Sequence, residues 1–261
     1  MNQDPVLFEV RGAIAAITLN RPAVLNGIDV ELAAALGAAL DRMDAQGSIR
    51  AVLLRGAGRA FCAGGDVSRF DGSEPFAAVA DRTMARFHPV VRRIAELGLP
   101  TVAAVHGAVA GAGLGLMLAC DFALAAAGTR FTLAYPAIGA TIDAGASWFL
   151  TRALGTRKAT ELAMLADRFE ADAALALGLV NRVVAADALE AEAQALAQKL
   201  AAGPTLAYAT IKRLVASAHD NDLAAQLDAE RCGFAQIAST ADFAEGLAAF
   251  KARRPPVFTG R

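Results

Sequence analysis

The sequence predicts an α/β fold in which helices join parallel strands. Two short, continuously apolar runs, AVLLRG at 51–56 and TVAAVHG at 101–107, are typical of strands buried on both faces, and DFALAAAG at 121–128 is a weaker third run. Helical patterns separate the three runs, as crossover connections require. Because 56% of the 261 residues are hydrophobic, the chain can form a large buried core.

The segment before these runs predicts two strands and a helix. VLFEVRG at 6–12 and AIAAITLNR at 13–21 are expected to be strands, and the second ends at Pro22 because proline cannot continue a strand ladder. Asp29 is then expected to cap an Ala- and Leu-rich helix that ends near Asp44.

The segment after GLVNRVV (178–184) has a different composition. Residues 187–251 are rich in Ala, Leu, Gln and Glu, which predicts helices, with a break at Gly203-Pro204. We therefore expect a core at 1–195 and a helical region at 196–261 that lies over the core or over a neighbouring subunit.

Charge and composition argue against several classes of partner. Lys and Arg total 25 against 26 Asp and Glu, so there is no electrostatic reason to expect nucleic acid or an anionic membrane as partner. The uncharged stretch from Thr101 to Cys120 is as long as a membrane span, but it contains His106 and four glycines, so a buried strand, turn and helix are expected instead.

The cysteines and the N-terminal residues indicate a cytoplasmic protein. Cys62, Cys120 and Cys232 are odd in number and have no CxxC spacing, so neither a disulfide framework nor a zinc site is expected. Each lies among apolar or small residues, which predicts a buried and unreactive thiol. The first residues lack the apolar core of a secretory signal.

Two glycine-rich turns each follow a buried strand. They are GAGRAFCAGGDVSRF at 56–70 and HGAVAGAGLGLML at 106–118, and both end where a helix is expected to start, with free N–H groups. Gly111, Gly113 and Gly115 alternate, which does not match the G-x-G-x-x-G spacing of a dinucleotide site. Chance glycines in tight turns remain an alternative, but two such turns favour a shared site with an oxyanion hole.

These turns resemble motifs of the crotonase, or enoyl-CoA hydratase/isomerase, superfamily. The resemblance covers nearly the whole chain and rests on ITLNRPAVLNGI (17–28), AFCAGGDV (60–67), HGAVAGAGLGLMLACDFALA (106–125), GLVNRVV and FKARRPPVF (250–258). It implies a crotonase (ClpP-like) spiral of ββα units with a C-terminal helical trimerisation region, and thus a homotrimer or a dimer of trimers. It also implies a CoA thioester as substrate, with no metal and no redox cofactor.

The resemblance also assigns candidate site residues. The N–H groups of Gly65 and Ala112 would hold the thioester oxygen, and Asp66 would shape its loop as a cap rather than act as a catalyst. The adenine and pantetheine path would be lined by residues 65–68, which are Gly65, Asp66, Val67 and Ser68. Phe234 and Arg253 match an aromatic and a basic residue that reach CoA, often from the adjacent subunit. Core packing for Phe234 and a solvated cation for Arg253 remain alternatives.

The sequence departs from the hydratase pattern at two positions. Family hydratases carry glutamates where this chain has Gly115 and Tyr135, so simple hydration is disfavoured although it remains an alternative. Asp143, in ATIDAGASWFL, matches the acid of an isomerase subgroup that shifts enoyl-CoA double bonds or acts on a ring epoxide in the phenylacetate pathway. We therefore expect an acyl-CoA isomerase of fatty acid or phenylacetate metabolism with Asp143 as its single base.

The surroundings of Asp143 allow two roles for its side chain. Burial by Ala140, Ile142, Ala144 and Trp148 would raise the pKa of Asp143 toward the range of a general base. The alternative is a cap on a helix that begins near Ala144. The acyl pocket is expected to draw on a further set, which is Met84, Phe87, Tyr135, Ile138 and Trp148.

His88 and Tyr135 leave another function open. In the aryl-CoA dehalogenase branch an aspartate attacks as nucleophile and a histidine at the position of His88 acts as base, with an aromatic residue at the position of Tyr135. A structural role for His88 is the alternative, and His106 and His219 are expected to be structural. A non-catalytic CoA-binding homologue is the last possibility.

Overall fold

The structure is a computed structural model that describes residues 4–261. The strands are β1 (Val6–Arg11), β2 (Ile14–Leu19), β3 (Ala51–Gly56), β4 (Thr101–Val105), β5 (Ala108–Ala110), β6 (Phe122–Ala126), β7 (Arg130–Thr132), β8 (Phe169–Glu170) and β9 (Arg182–Val184). The helices are α1 (Val30–Asp44), α2 (Phe76–Glu96), α3 (Ala112–Leu118), α4 (Ala146–Leu165), α5 (Ala171–Ala176), α6 (Leu189–Ala201), α7 (Thr205–Ser217), α8 (Leu223–Ala238) and α9 (Ala241–Ala252).

Two sheets give the chain its spiral course. The large sheet has the order β1-β2-β3-β4-β6-β9, in which β1 and β2 are antiparallel and every later pair is parallel. The small sheet has the order β5-β7-β8. The chain therefore places β4 in the large sheet, β5 in the small one and then forms α3, and it repeats the pattern with β6, β7 and α4. A bridge between Cys62 and Val109 extends the small sheet toward the first turn.

The large sheet is covered on both faces, which explains its continuously apolar strands. Alternate residues of a strand point to opposite faces. In β3, Val52 and Leu54 belong to the core cluster shared with α1 and α2, whereas Ala51 and Leu53 belong to a second cluster under α6. The predicted α/β class with parallel, doubly covered strands is confirmed.

The expected cap and break occur where the sequence predicts them. The side chain of Asp29 accepts a hydrogen bond from the Leu32 N–H at 2.8 Å and caps α1. Gly203 and Pro204 separate α6 from α7. The stretch from Thr101 to Cys120 forms β4, β5 and α3, and within residues 4–261 no helix is long and apolar enough to cross a membrane.

The C-terminal region consists of helices, as its composition predicts. α6 crosses the proposed boundary between residues 195 and 196 and packs on the sheet, while α7, α8 and α9 pack mainly against one another. The division into two domains stays a prediction. The last residues return to the core, where Arg50 donates to the carbonyl oxygens of Phe258 and Gly203.

The three cysteines are free thiols in different environments. Cys62 is fully buried, and burial raises the pKa of its thiol to about 12. Cys120 is partly buried. The expectation of a buried thiol is wrong for Cys232, which lies on the exposed face of α8 because that helix packs on the rest of the chain along one side only.

Candidate active site

The first glycine-rich turn is organised by Asn26, a residue to which the sequence analysis gave no role. Asn26 is completely buried, has a left-handed backbone (φ 58°), and donates from Nδ2 to the carbonyl oxygens of Ala57, Ala60 and Phe61 at 2.9–3.0 Å. Its Oδ1 accepts from the Arg21 N–H at 2.8 Å. The only signal in the sequence is an asparagine directly before Gly27, because asparagine adopts a left-handed backbone more readily than most residues do.

An ion network with two buried carboxylates, Asp29 and Asp66, lies beside the same turn. Nη2 of Arg21 lies 2.8 Å from Oδ2 of Asp29 and 2.9 Å from Oδ2 of Asp66, and Arg69 donates to Asp29 at 2.6 Å. Asp66 accepts from the N–H and the hydroxyl of Ser68, so it has the capping role that was predicted. Burial favours a higher pKa for Asp66, but the hydrogen bonds from Ser68 and Arg21 outweigh it and lower the pKa below its ordinary value.

Gly65 presents a free N–H beside this network. Ile28 bonds to Gly64 and Asp66, so the N–H of Gly65 points away from Ile28, and within the described chain no acceptor lies in hydrogen-bond range of it. Gly65 is exposed, and a Cβ added there would have nothing within 4 Å. The donor therefore faces open space.

Ala112 presents a second free N–H at the start of α3. Gly111 turns the chain into the helix with φ 49°, and no acceptor among residues 4–261 pairs with the Ala112 N–H although Ala112 is only 1% exposed. A buried N–H without a protein partner is costly unless a ligand oxygen satisfies it. A Cβ on Gly111 would lie 3.6 Å from the Gly64 Cα, so the two turns are in contact.

Asp143 contacts Tyr135 and does not cap a helix. Oη of Tyr135 donates to Oδ1 of Asp143 at 2.5 Å. Burial raises the pKa of Asp143 above its ordinary value, although the tyrosine hydrogen bond and the nearby His88 oppose this effect in part. The cap alternative is wrong, since α4 starts after Gly145 and receives no side-chain cap. Only the backbone oxygen of Asp143 accepts from Ala146.

The residues expected to bury Asp143 do so only in part. Ala144 is fully buried and Ile142 is partly buried. Ala140 is exposed. Trp148 is 46% exposed, and the Arg152 guanidinium lies 3.8 Å from the centre of its ring. Neither residue therefore forms part of a closed apolar shell around Asp143. The aromatic cover is supplied by Tyr135, which is 9% exposed.

Gly115 allows the Asp143 loop to approach α3. A Cβ at Gly115 would lie 2.4 Å from the Ala144 oxygen and 2.9 Å from the Ala144 Cβ. The backbone after Asp143 therefore occupies the space that a side chain at position 115 would need. A glutamate there requires the loop to move.

His88 lies next to the same loop. Its Nε2 accepts from the Ala144 N–H at 3.3 Å, which puts the ring proton of the neutral histidine on Nδ1. His106 bonds through Nε2 to the Gly58 oxygen at 2.8 Å, which agrees with the structural role expected for it.

A groove of about 1030 Å³ begins at His88 and Ala144 and runs between α2, α4 and α7. The apolar side chains in its walls include Val91, Ala95, Leu97, Trp148, Phe149 and Ala209. Of the expected pocket residues only Trp148 lines this groove, and the ones that do not are Met84, Phe87, Tyr135 and Ile138. His219 lies in the wall of a second cavity of about 290 Å³.

Two of the remaining candidates lie on the C-terminal helices. Phe234 is on α8 and Arg253 ends α9, and no hydrogen bond between described residues joins either helix to the loops of Gly65, Ala112 and Asp143. Phe234 is 68% exposed, so the alternative that it packs in the core is wrong. Arg253 is exposed, and the contributions of both residues and of Val67 to CoA binding stay predictions. In residues 4–261 no three His, Cys, Asp or Glu side chains cluster as metal ligands.

Comparison with known proteins gives matches over the whole chain. A family model described as enoyl-CoA hydratase/isomerase matches residues 9–261. The chain is 38% identical to a 1,2-epoxyphenylacetyl-CoA isomerase of Escherichia coli K12 over 98% of both chains. It is also 38% identical to a probable enoyl-CoA hydratase of Rhodobacter capsulatus over 100% of both.

Solved structures give the same result for the fold. An enoyl-CoA hydratase from Polaromonas sp. JS666 is 35% identical and superposes with a TM-score of 0.93 over 97% of this chain and 99% of that one. A putative enoyl-CoA hydratase from Streptomyces coelicolor A3(2) is 36% identical, with a TM-score of 0.91 over 98% and 94%. The crotonase-type fold expected from the motifs is confirmed.

Proposed function

Because the chain belongs to the enoyl-CoA hydratase/isomerase family, we propose that it is an acyl-CoA isomerase with Asp143 as its single base. The observation that carries the proposal is the half-buried carboxylate of Asp143, which bonds to Tyr135 beside a Gly115 that has no room for a second acid. The E. coli relative named as an isomerase supports the same class of reaction.

The mechanism needs one base and two N–H donors. The free N–H groups of Gly65 and Ala112 donate to the thioester oxygen, and Asp143 removes a proton from C2 of a 3-enoyl thioester. The electron pair moves into a dienolate whose oxygen the two donors stabilise. Asp143 then returns the proton at C4, which gives the 2-enoyl thioester and the ionised carboxylate. With a ring-epoxide substrate, the same two donors bind the thioester oxygen.

Hydration is the second candidate, because several relatives are named as hydratases. Addition of water calls for groups that activate the water and protonate carbon. Gly115 has no side chain, and the Tyr135 hydroxyl is already bonded to Asp143. These two observations favour isomerisation.

Hydrolysis through an aspartyl ester has less support. A histidine base for that reaction needs a free ring nitrogen that faces water. His88 uses the lone pair of Nε2 to accept from Ala144. One carboxylate oxygen of Asp143 also accepts a hydrogen bond from Tyr135. This favours a role for Asp143 as a base over a role as a nucleophile.

We extend the proposal to a homotrimer or a dimer of trimers. The helical region exposes large apolar side chains, and clusters of such groups on a protein mark contact surfaces. Those on α7, α8 and α9 are Leu206, Ile211, Val215, Leu223, Leu227, Phe234, Leu247 and Phe250.

A substrate panel tests the proposal. Straight-chain 3-enoyl-CoAs, 2-enoyl-CoAs and an aryl epoxide acyl-CoA are assayed with wild type, Asp143→Asn and the exposed control Asp228→Asn. We expect Asp143→Asn to lower kcat for isomerisation by about 10²- to 10⁴-fold, with CoA-thioester affinity unchanged. Equal activity of wild type and Asp143→Asn on every substrate contradicts the proposal. In a single turnover in heavy-oxygen water, hydrolysis of an aspartyl ester places the label in the Asp143 carboxylate, hydration places it in the product, and isomerisation labels neither.

A further inference from the structure

We propose that Tyr135 is a positioning residue that fixes the basic oxygen of Asp143 relative to the two free N–H groups. The kinetic part of this inference rests on the proposed function. The geometric part concerns the carboxylate itself and can be tested without a substrate.

The first step is the asymmetry of the carboxylate. Tyr135 donates to Oδ1 of Asp143 at 2.5 Å, whereas no donor among the described residues bonds to Oδ2. A carboxylate with one oxygen held in a short hydrogen bond has a defined orientation and one free basic oxygen. Tyr135 thus selects Oδ2 as the atom that exchanges the proton.

The second step is the position of the tyrosine ring. A Cβ added to Gly111 would lie 3.6 Å from Cζ of Tyr135 and 3.6 Å from the Gly64 Cα. The phenol ring therefore packs on the backbone at the point where the two glycine turns meet. The ring contacts the backbone beside the two free N–H groups, and its hydroxyl bonds to Asp143. Tyr135 therefore fixes the position of the Asp143 carboxylate relative to those N–H groups.

The third step is electrostatic. Burial raises the pKa of Asp143, and the hydrogen bond from Tyr135 lowers it, so the tyrosine helps to keep the base ionised near neutral pH. Burial and the adjacent Asp143 raise the pKa of Tyr135 itself, so the hydroxyl retains its proton and remains a donor.

Few other titratable groups face this pair. His88 from α2 acts on Asp143, and Cys62 from the first turn acts on Tyr135. Neither α3 nor the first turn of α4 carries a titratable side chain. The bond between Tyr135 and Asp143 is therefore the main hydrogen bond that opposes desolvation of the base.

Tyr135→Phe tests the inference, with Tyr208→Phe as the matched control because Tyr208 packs in the second core cluster under α6. Loss of a hydrogen bond to a charged group should raise the pKa of Asp143 by about 1 to 2 pH units. The acid limb of kcat/KM should move upward by the same amount, so activity falls most at low pH and recovers as pH rises. Tyr208→Phe should leave the profile unchanged.

The pKa of Asp143 is measured directly by ¹³C NMR on aspartate-labelled protein, with the signal assigned by its loss in Asp143→Asn. An unchanged pKa in Tyr135→Phe overturns the inference, as does a uniform loss of activity with no movement of the acid limb. If the pKa rises but wild type fails to isomerise any enoyl-CoA, the proposed function fails and the positioning role stands.

A second measurement avoids dependence on the folding of Tyr135→Phe. The chain has two tyrosines, so fluorotyrosine labelling gives two ¹⁹F signals. We expect the Tyr135 signal to shift as Asp143 titrates, and to be flat in Asp143→Asn. The Tyr208 signal should not follow that transition, and a flat Tyr135 signal in the wild-type chain overturns the inference.

Discussion

Gly113→Ala provides the sharpest test of the proposed oxyanion hole. Gly113 lies in the first turn of α3 with an ordinary helical backbone, so alanine is compatible with its conformation. The obstacle is Cys62, because the new Cβ would lie 2.4 Å from its oxygen, 2.7 Å from its Cβ and 2.8 Å from its Sγ. Cys62 pairs with β5 through Ala108 and Ala110, and this pairing holds the two glycine turns together.

The size of the displacement follows from these distances. Ordinary contacts begin at 3.4 Å, and the new Cβ would lie 2.4 Å from the Cys62 oxygen, so Cys62 has to move away by about 1 Å. Gly65 follows three residues later, and its N–H should move away from that of Ala112. Loss of one oxyanion donor costs about 10²- to 10³-fold in kcat. Overpacking should destabilise the fold by about 1 to 3 kcal/mol, offset in part by the better helix propensity of alanine.

The assay compares kcat, KM and thermal stability of Gly113→Ala and Gly37→Ala. Gly37 is also a helical glycine, but its Cβ would lie at an ordinary 3.5 Å from Val90. Gly37→Ala should keep wild-type kcat and gain about 0.5 to 1 kcal/mol in stability. If Gly113→Ala is folded and its kcat stays within about threefold of wild type, a change below 1 kcal/mol, the proposed coupling of the turns to the hole is wrong.

Two further predictions concern the first turn and the helical region. Asn26→Ala removes the donor from two buried carbonyl oxygens and one partly buried one at a left-handed position, so it should lower the unfolding free energy by about 2 to 4 kcal/mol in urea titrations. Asn221→Ala on the surface is its control, and a cost similar to that control contradicts the assigned role. Phe250 is 83% exposed in the single chain, so Phe250→Asp should dissociate the proposed trimer in sedimentation velocity while Val10→Asp does not. An intact trimer in Phe250→Asp excludes this face from the interface.

The sequence predicted the parts of the fold that depend on local pattern. β3 and β4 are apolar throughout because both faces of the large sheet are covered, and that property is visible in the residues themselves. The cap at Asp29 and the break at Gly203-Pro204 depend on residues adjacent in the chain.

The strands of the small sheet could not be predicted in the same way. β5, β7 and β8 have two or three residues each, and their pairing joins segments that are far apart in the chain. Such short runs carry no periodicity, so the tertiary pairing determines their conformation.

The candidate site was predictable in its residue types but not in its contacts. The motifs identified Gly65, Ala112 and Asp143. The bond from Tyr135 to Asp143 depends on a turn that folds residues 135–143 back on themselves, and the exposure of Trp148 depends on how α4 packs. The close approach of Ala144 to Gly115 is likewise a property of the assembled loops.

Asn26 has a consequence for the chemical ageing of the chain. Asn-Gly pairs are prone to deamidation, in which the glycine nitrogen attacks the asparagine side chain. Here the Gly27 N–H donates to the Val24 oxygen at 3.0 Å, and the Asn26 amide is committed to three carbonyl oxygens, so the folded protein prevents the attack. An unfolded chain has no such protection, and the aspartate that it acquires cannot donate to those oxygens. Each unfolding event therefore exposes the chain to damage that removes these hydrogen bonds and weakens the first turn after refolding.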